Sequence, residues 1–152
     1  MVGKLLAKNR QTYAEYEILD TYEAGMKLTG PEVKSIKAGH IKLQGSYASL
    51  NPASGRLSLV GAHIQAYKPA ASVQAGYDPA RSRPLLLNKK EIATLIGKLK
   101  EKRLSLVPLS IYSKSGLIKL ELGLARGKKQ YEKREQIKKR DIERDIGRKL
   151  KS

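Results

Sequence analysis

The chain has no cysteine, no tryptophan, no phenylalanine and only two histidines, His40 and His63. Without thiols it can build neither a disulfide framework nor a thiolate zinc site, and a cysteine nucleophile is excluded. The two histidines stand apart in the sequence and argue for no metal site; no cofactor is expected. Uncharged stretches fall far short of the ~18 apolar residues of a membrane span. The opening run Met1-Val2-Gly3-Lys4-Leu5-Leu6-Ala7-Lys8 lacks the apolar centre of a secretory signal. A helix lying on a lipid surface would want bulky anchors, which the missing Trp and Phe do not supply. The expectation is a soluble, cytoplasmic protein with no membrane partner. Catalytic signatures are missing as well: there is no G-x-S-x-G elbow, no phosphate-binding P-loop, no G-x-G-x-x-G and no H-E-x-x-H. No enzymatic activity is expected.

Acidic residues are also scarce. Fourteen Asp and Glu face 31 Lys and Arg, leaving a net charge of +17 on 152 residues. A field of that sign attracts polyanions, and nucleic acid is the expected partner. The length suits one domain with one core. Composition shifts at about Arg126, and from there to the last residue 12 basic and 5 acidic residues stand in 27 positions. The expected organisation is a folded domain over 1–125 and a basic tail over 126–152.

Strand patterns dominate the domain. Tyr16, Ile18, Tyr22, Ala24, Met26 and Leu28 alternate with Glu15, Glu17, Glu23 and Lys27, with Asp20 out of phase, predicting a long half-buried strand with a bend at Gly25. Leu57 to Ile64 is apolar on both parities and reads as one central strand. The Asn51-Pro52-Ala53-Ser54-Gly55 turn joins it to Tyr47–Leu50 as a hairpin. Leu104 and Leu106 share one phase and Leu109 and Ile111 the other, so Pro108 marks a bulge or an edge. Lys114-Ser115-Gly116 then turns the chain into the alternating segment Leu117–Leu124. Two helices interrupt the strands. Thr29 and Glu32 have capping-box spacing with Gly39 as the stop, and Asn88 and Glu91 repeat the device before the stripe Ile92, Leu95, Ile96, Leu99. Lys89 and Lys90 in that second helix's first turn oppose its dipole, which hints at an external anion or simply at solvated lysines. The predicted class is mainly β with short helices, a small closed β-barrel of oligonucleotide-binding or related Greek-key type.

Candidate contacts follow from residue chemistry. Lys68–Pro84 is a long irregular segment in which Tyr77 stands near Arg81 and Arg83. Guanidinium groups bind phosphates bidentately and tyrosine offers a stacking face, so RNA contact and a solvated loop both fit. Lys34 and Lys37, on the helix that Thr29 caps, join Arg81 and Arg83 as candidate RNA contacts. Glu23, on the polar side of its strand, is either a surface carboxylate or an acceptor for a base or ribose donor. His63, in an apolar strand, reads as a satisfied structural histidine. Most tyrosines read as core or edge residues of the sheet. Tyr131 differs, standing among charges, free to stack on a base or merely exposed. In the tail, Ile142, Ile146 and Leu150 recur every four residues, and Glu135/Lys139 and Asp145/Lys149 are helix-supporting pairs, while Gly147 weakens the helix. The tail is expected to be disordered when free and helical in an anionic groove, or else to bind RNA without order.

Several motifs stand in an order that resembles one family. They are Tyr22-Glu23-Ala24-Gly25, Pro31-Glu32-Val33-Lys34-Ser35, Ala38-Gly39, Asp78-Pro79-Ala80-Arg81-Ser82-Arg83, Leu85-Leu86-Leu87-Asn88 and Gly127-Lys128-Lys129. From roughly Asn9 onward the chain resembles the small protein B family, the SsrA-binding proteins of bacterial trans-translation. The resemblance implies an oligonucleotide-binding-type barrel with flanking helices, no enzymatic activity, and binding to the tRNA-like domain of transfer-messenger RNA for delivery to stalled ribosomes. It implies elongation factor Tu and small-subunit ribosomal RNA as further partners of a monomer. Asn9, Glu23, Leu86 and Lys119 match the family's RNA-contact positions. Gly127, Lys128, Lys129, Tyr131, Glu132, Lys133 and Arg134 match the segment that enters the empty message channel, and Lys138 extends that basic run. The chain departs from the family's pattern at Tyr131, often histidine, at Glu132, commonly Asp, and at Pro31. Gln11-Thr12-Tyr13-Ala14, expected in the first strand, stands where many members are more basic. The alternative that composition keeps open is a constitutive ribosomal protein with a structural basic tail.

Overall fold

The computed structural model describes residues 3–100 and 103–128. The elements, in chain order, are β1 (Lys4–Lys8), α1 (Arg10–Glu15), β2 (Tyr16–Met26), α2 (Gly30–Lys37), β3 (Ile41–Lys42), β4 (Tyr47–Leu50), β5 (Leu57–Val60), β6 (His63–Ile64), β7 (Arg83–Leu86), α3 (Lys89–Lys98), β8 (Leu104–Lys114) and β9 (Leu117–Gly127), with a 3-10 segment over Lys68–Gln74. The class is mainly β with short helices.

The β8–β9 hairpin is the spine. Ser115 and Gly116 both take positive φ, 51° and 78°, which lets a two-residue turn join two 11-residue strands whose right-handed twist it matches. Alternation along β9 sends Ile118, Leu120, Leu122 and Leu124 into the main core. The expected slip at Pro108 is a bulge between Pro108 and Ser110, after which Leu109 joins Val107 and Ala125 in a smaller cluster capped by Tyr16 and Ile18. Gly123 permits that packing, because a Cβ there would lie 3.0 Å from Leu109. Pro108 lies inside the sheet, not at its edge, and the bulge is what accommodates it.

All pairings are antiparallel. β8 pairs with β9 on one side and with β1 and β4 on the other, and the sequence β8-β4-β5-β7-β2-β9 leads back to β8. The β2 phase error at Asp20 is a second bulge, between Ile18 and Asp20, which turns Leu19 outward. β2 runs through Gly25, which pairs on both sides.

Three expectations are corrected. Leu57–Ile64 is not one strand: Gly61, at φ 82°, breaks it, and β6 leaves to pair with β3 in a separate two-stranded sheet. His63 consequently lies exposed rather than within an apolar strand. Gln11–Ala14 is not strand but α1, and the first strand lies earlier, at β1. The helix caps hold. Thr29 and Glu32 complete a reciprocal capping box, Gly39 ends α2 at φ 85°, and the Asn88 side chain accepts from the Glu91 backbone. α3 buries Leu95 against the main core while Lys89 and Lys90 stay exposed. β9 carries the folded body through Gly127, two residues past the expected domain end at 125.

Candidate nucleic-acid interface

Glu23, Leu86 and Lys119 meet on the outward face of the sheet. Gly25 stands opposite Leu86 on one side and Lys119 on the other, Lys119 stands opposite Tyr112, and Tyr112 opposite Leu5. Residues in one cross-strand row share a face, so β7, β2, β9, β8 and β1 present Leu86, Lys119, Tyr112 and Leu5 together, with Gly25 as a gap. Leu86 and Leu5 are 52% and 57% exposed, apolar surface that no part of the core covers. Gly25 is not sterically required, since a Cβ would sit 3.5 Å from Leu86 and 3.9 Å from the Lys119 ammonium, ordinary contacts. Its bare backbone lowers the floor of the row where a ligand could approach.

Glu23 is held in place. The Tyr112 hydroxyl donates to its Oε2 at 2.5 Å and the Lys114 ammonium donates to the same oxygen at 3.3 Å. Among the described residues no donor reaches Oε1. The Tyr112 bond, with support from Lys114 and Lys119, holds the Glu23 carboxyl below its ordinary value, so it is an acceptor at neutral pH. Partial burial and then the Glu23 bond push the Tyr112 phenol up, so it stays a donor. The row therefore offers cations for phosphate, apolar edges for sugars or bases, and one oriented carboxylate for a base or ribose donor.

The remaining candidates divide. Arg83 is fully buried, which corrects its reading as an RNA contact. Its Nε donates to Glu32 Oε2 at 3.0 Å, and its other nitrogens donate to the Ala62 carbonyl (2.7 Å), the Pro79 carbonyl (2.8 Å) and the Tyr77 hydroxyl (2.9 Å). Arg81 forks onto Glu32 through Nε and Nη2 and keeps its side chain 32% exposed. Glu32 Oε1 also accepts from the Thr29 backbone at 3.0 Å, so one buried carboxylate caps α2 and anchors the segment after β6. Burial opposes its ionisation, but Arg81, the Thr29 amide and Arg83 outweigh burial and bring its pKa down to about 2. The Tyr77 hydroxyl lies 3.0 Å from Glu32 Oε2 and 2.9 Å from the Ile64 carbonyl, so Tyr77 belongs to this anchor rather than to a stacking platform.

Asn9 is likewise buried. Its amide donates to the carbonyls of Pro108 (3.1 Å) and Leu43 (3.5 Å), and its backbone N–H donates to Leu109. It pins the β1–α1 corner to the β8 bulge, a structural role for a residue that matches an RNA-contact position of the family. Lys34 and Lys37 are exposed on α2, Lys34 with its ammonium 5.6 Å from the centre of the Tyr67 ring. Of the tail candidates, Gly127 pairs with Tyr16, and the Lys128 backbone donates to Glu15 while its ammonium donates to the Tyr13 carbonyl at 3.3 Å. Lys129, Tyr131, Glu132, Lys133, Arg134 and Lys138 lie outside the described residues.

Sequence reasoning passed over Tyr112 and Lys114. The signal was available: a two-residue Ser115–Gly116 turn fixes Lys114 opposite Leu117, hence Tyr112 opposite Lys119. No helix among the described residues is long and apolar enough to cross a membrane.

A family model described as SmpB protein matches residues 6–152. The SsrA-binding protein of Persephonella marina is 45% identical over 148 residues, covering 97% of this chain and 95% of that one. The SsrA-binding protein of Gloeothece citriformis is 49% identical over 148 residues, 97% of this chain and 94% of that one. A solved structure described as "tmRNA-SmpB: a journey to the center of the bacterial ribosome" is 46% identical, superposes with a TM-score of 0.66, and covers 82% of this chain and 85% of its own.

Proposed function

The chain belongs to the SmpB protein family, and from that premise we propose that it binds transfer-messenger RNA and acts with it on the ribosome in trans-translation. The observation that carries the proposal to residues is the cross-strand row of Leu86, Gly25, Lys119 and Tyr112 beside the held carboxylate of Glu23. That face mixes cationic, apolar and acceptor groups as a folded RNA requires. A purely electrostatic surface would have no use for Glu23.

The finer assignment is to the tRNA-like domain, with the strand circuit β8-β4-β5-β7-β2-β9 serving as a closed barrel of oligonucleotide-binding type. Glu23, Leu86 and Lys119 make contacts on this face, Lys34, Lys37 and Arg81 supply charge beside α2, and no chemistry is catalysed. The folded body holds Gly127 and Lys128 at the root of the tail, and the segment beyond them, with Lys129, Tyr131, Glu132, Lys133, Arg134 and Lys138, enters the empty message channel and becomes helical against small-subunit RNA. Its composition supports this reading: a basic segment with a sparse apolar stripe gains order only where an anionic wall offsets its charge. The protein acts as a cytoplasmic monomer, delivered together with elongation factor Tu. Lys119→Ala tests the RNA face. Binding to the tRNA-like domain should weaken about tenfold, as expected for one charge-assisted contact in a shared face, with an unchanged melting temperature. Unchanged affinity would remove Lys119 from the interface.

A further inference from the structure

The chain's two histidines, apart in sequence, come together on the β3–β6 sheet. Ile41 pairs with Ile64 and Lys42 with His63, and the Gln65 backbone donates to the His40 carbonyl at 3.1 Å. Ile64 is fully buried, so the opposite parity faces outward: His40 beside Gln65 in one row, Lys42 opposite His63 in the next. All four are exposed. With Gly39 and Ile41 they line a depression of about 310 Å³ that contains no carboxylate. A recess of about 500 Å³ between α1, β4 and β8 contrasts with it, its lining holding Glu15 and no Lys or Arg, whereas one of about 510 Å³ that shares Lys42 is itself basic, with Lys8 and Arg10.

We propose that His40, Lys42, His63 and Gln65 form a phosphate-backbone site for an RNA strand, separate from the Glu23–Lys119 face. Ammonium, imidazole and amide groups all donate to phosphate oxygens, and no acidic side chain in the depression competes with them. Two residues of strand separate the rows by about 7 Å, a spacing comparable to that of successive phosphates on one strand. The site also continues a cationic side of the molecule. Tyr67, which Lys34 covers, lies two residues beyond Gln65, and Lys37 stands at the end of α2, just before His40. The phosphates belong either to transfer-messenger RNA or to ribosomal RNA; the chemistry is the same, and this part of the inference rests on the proposed function.

The test compares the full chain with Lys42→Ala/His63→Ala and with His40→Ala/His63→Ala over a salt series, against two probes: the isolated tRNA-like domain and purified small ribosomal subunits. With one probe, each double variant should bind about three- to tenfold more weakly, and the salt dependence should become shallower by about one for the lost lysine contact. All four side chains are exposed, so melting temperatures should not move. The probe that responds identifies whose phosphates are bound. If both variants match the parent on both probes while Lys119→Ala weakens binding to the tRNA-like domain, the site is wrong and the functional reading stands. If the parent binds neither probe, the functional reading falls and this inference with it.

Discussion

At the scale of single residues, Glu32 carries more of the structure than any other charged group described. It is 1% exposed, completes the capping box of α2 and receives two guanidinium groups from the chain 49 and 51 positions later. Glu32→Gln keeps the shape and removes the charge, leaving buried Arg83 without a counter-ion. Truncating one partner of a buried pair costs about 3–5 kcal/mol; chemical denaturation should show a loss of that order. The pH dependence follows from the depressed pKa. Its stabilisation is complete above the ordinary value of 4.5 and drains away as pH falls toward about 2. Glu32→Gln should therefore flatten the loss of stability between those values, and a variant as acid-sensitive as the parent would assign the effect to other carboxylates. The cap was visible in the sequence; the two guanidinium pairs were not. Thr29 and Glu32 announced a cap because both partners are local, whereas Arg83 looked like an RNA ligand until folding buried it against Glu32, with Arg81 beside it.

Among the elements, what could be read from sequence follows the same division. The Asn51–Gly55 and Ser115–Gly116 turns, the Pro108 bulge and the caps of α2 and α3 depend on residues within a few positions, and each stood where its local chemistry placed it. α1 has six residues, no acidic residue in its first turn and no side-chain cap, so it emits no local signal. It is fixed by burial of Thr12 and by Asn9 anchoring to Pro108, a contact across 99 positions. Gly61 was legible as a glycine but not as the point where one apolar run serves two sheets. The tail is the segment to which the proposed function gives a separate task. Because β9 ends at Gly127 and the Lys128 backbone still bonds to α1, a stop after Lys128 should leave the body folded. That truncation should bind the tRNA-like domain within about threefold of the full chain, losing only diffuse attraction, yet fail to support tagging on stalled ribosomes. Tagging at normal levels would show that the tail is dispensable.

For the whole molecule, charge and shape act differently. A net charge of +17 draws the chain to any polyanion and makes every affinity depend on salt. On the proposed function, selectivity comes from the arranged face, where Glu23 repels phosphate and accepts only a donor, and where Leu86 and Leu5 need a sugar or base edge to cover them. The sequence announced the charge plainly. The face needed five strands from distant segments to assemble, and only the family resemblance pointed to Glu23, Leu86 and Lys119 together. The most direct measurement is equilibrium binding to the tRNA-like domain of transfer-messenger RNA at near-physiological salt, with excess bulk tRNA as competitor. Tight binding that survives the competitor is the result expected of a shape-reading face. Binding that collapses under competition would mean that the positive charge is a generic attraction, and would contradict the assignment of that face.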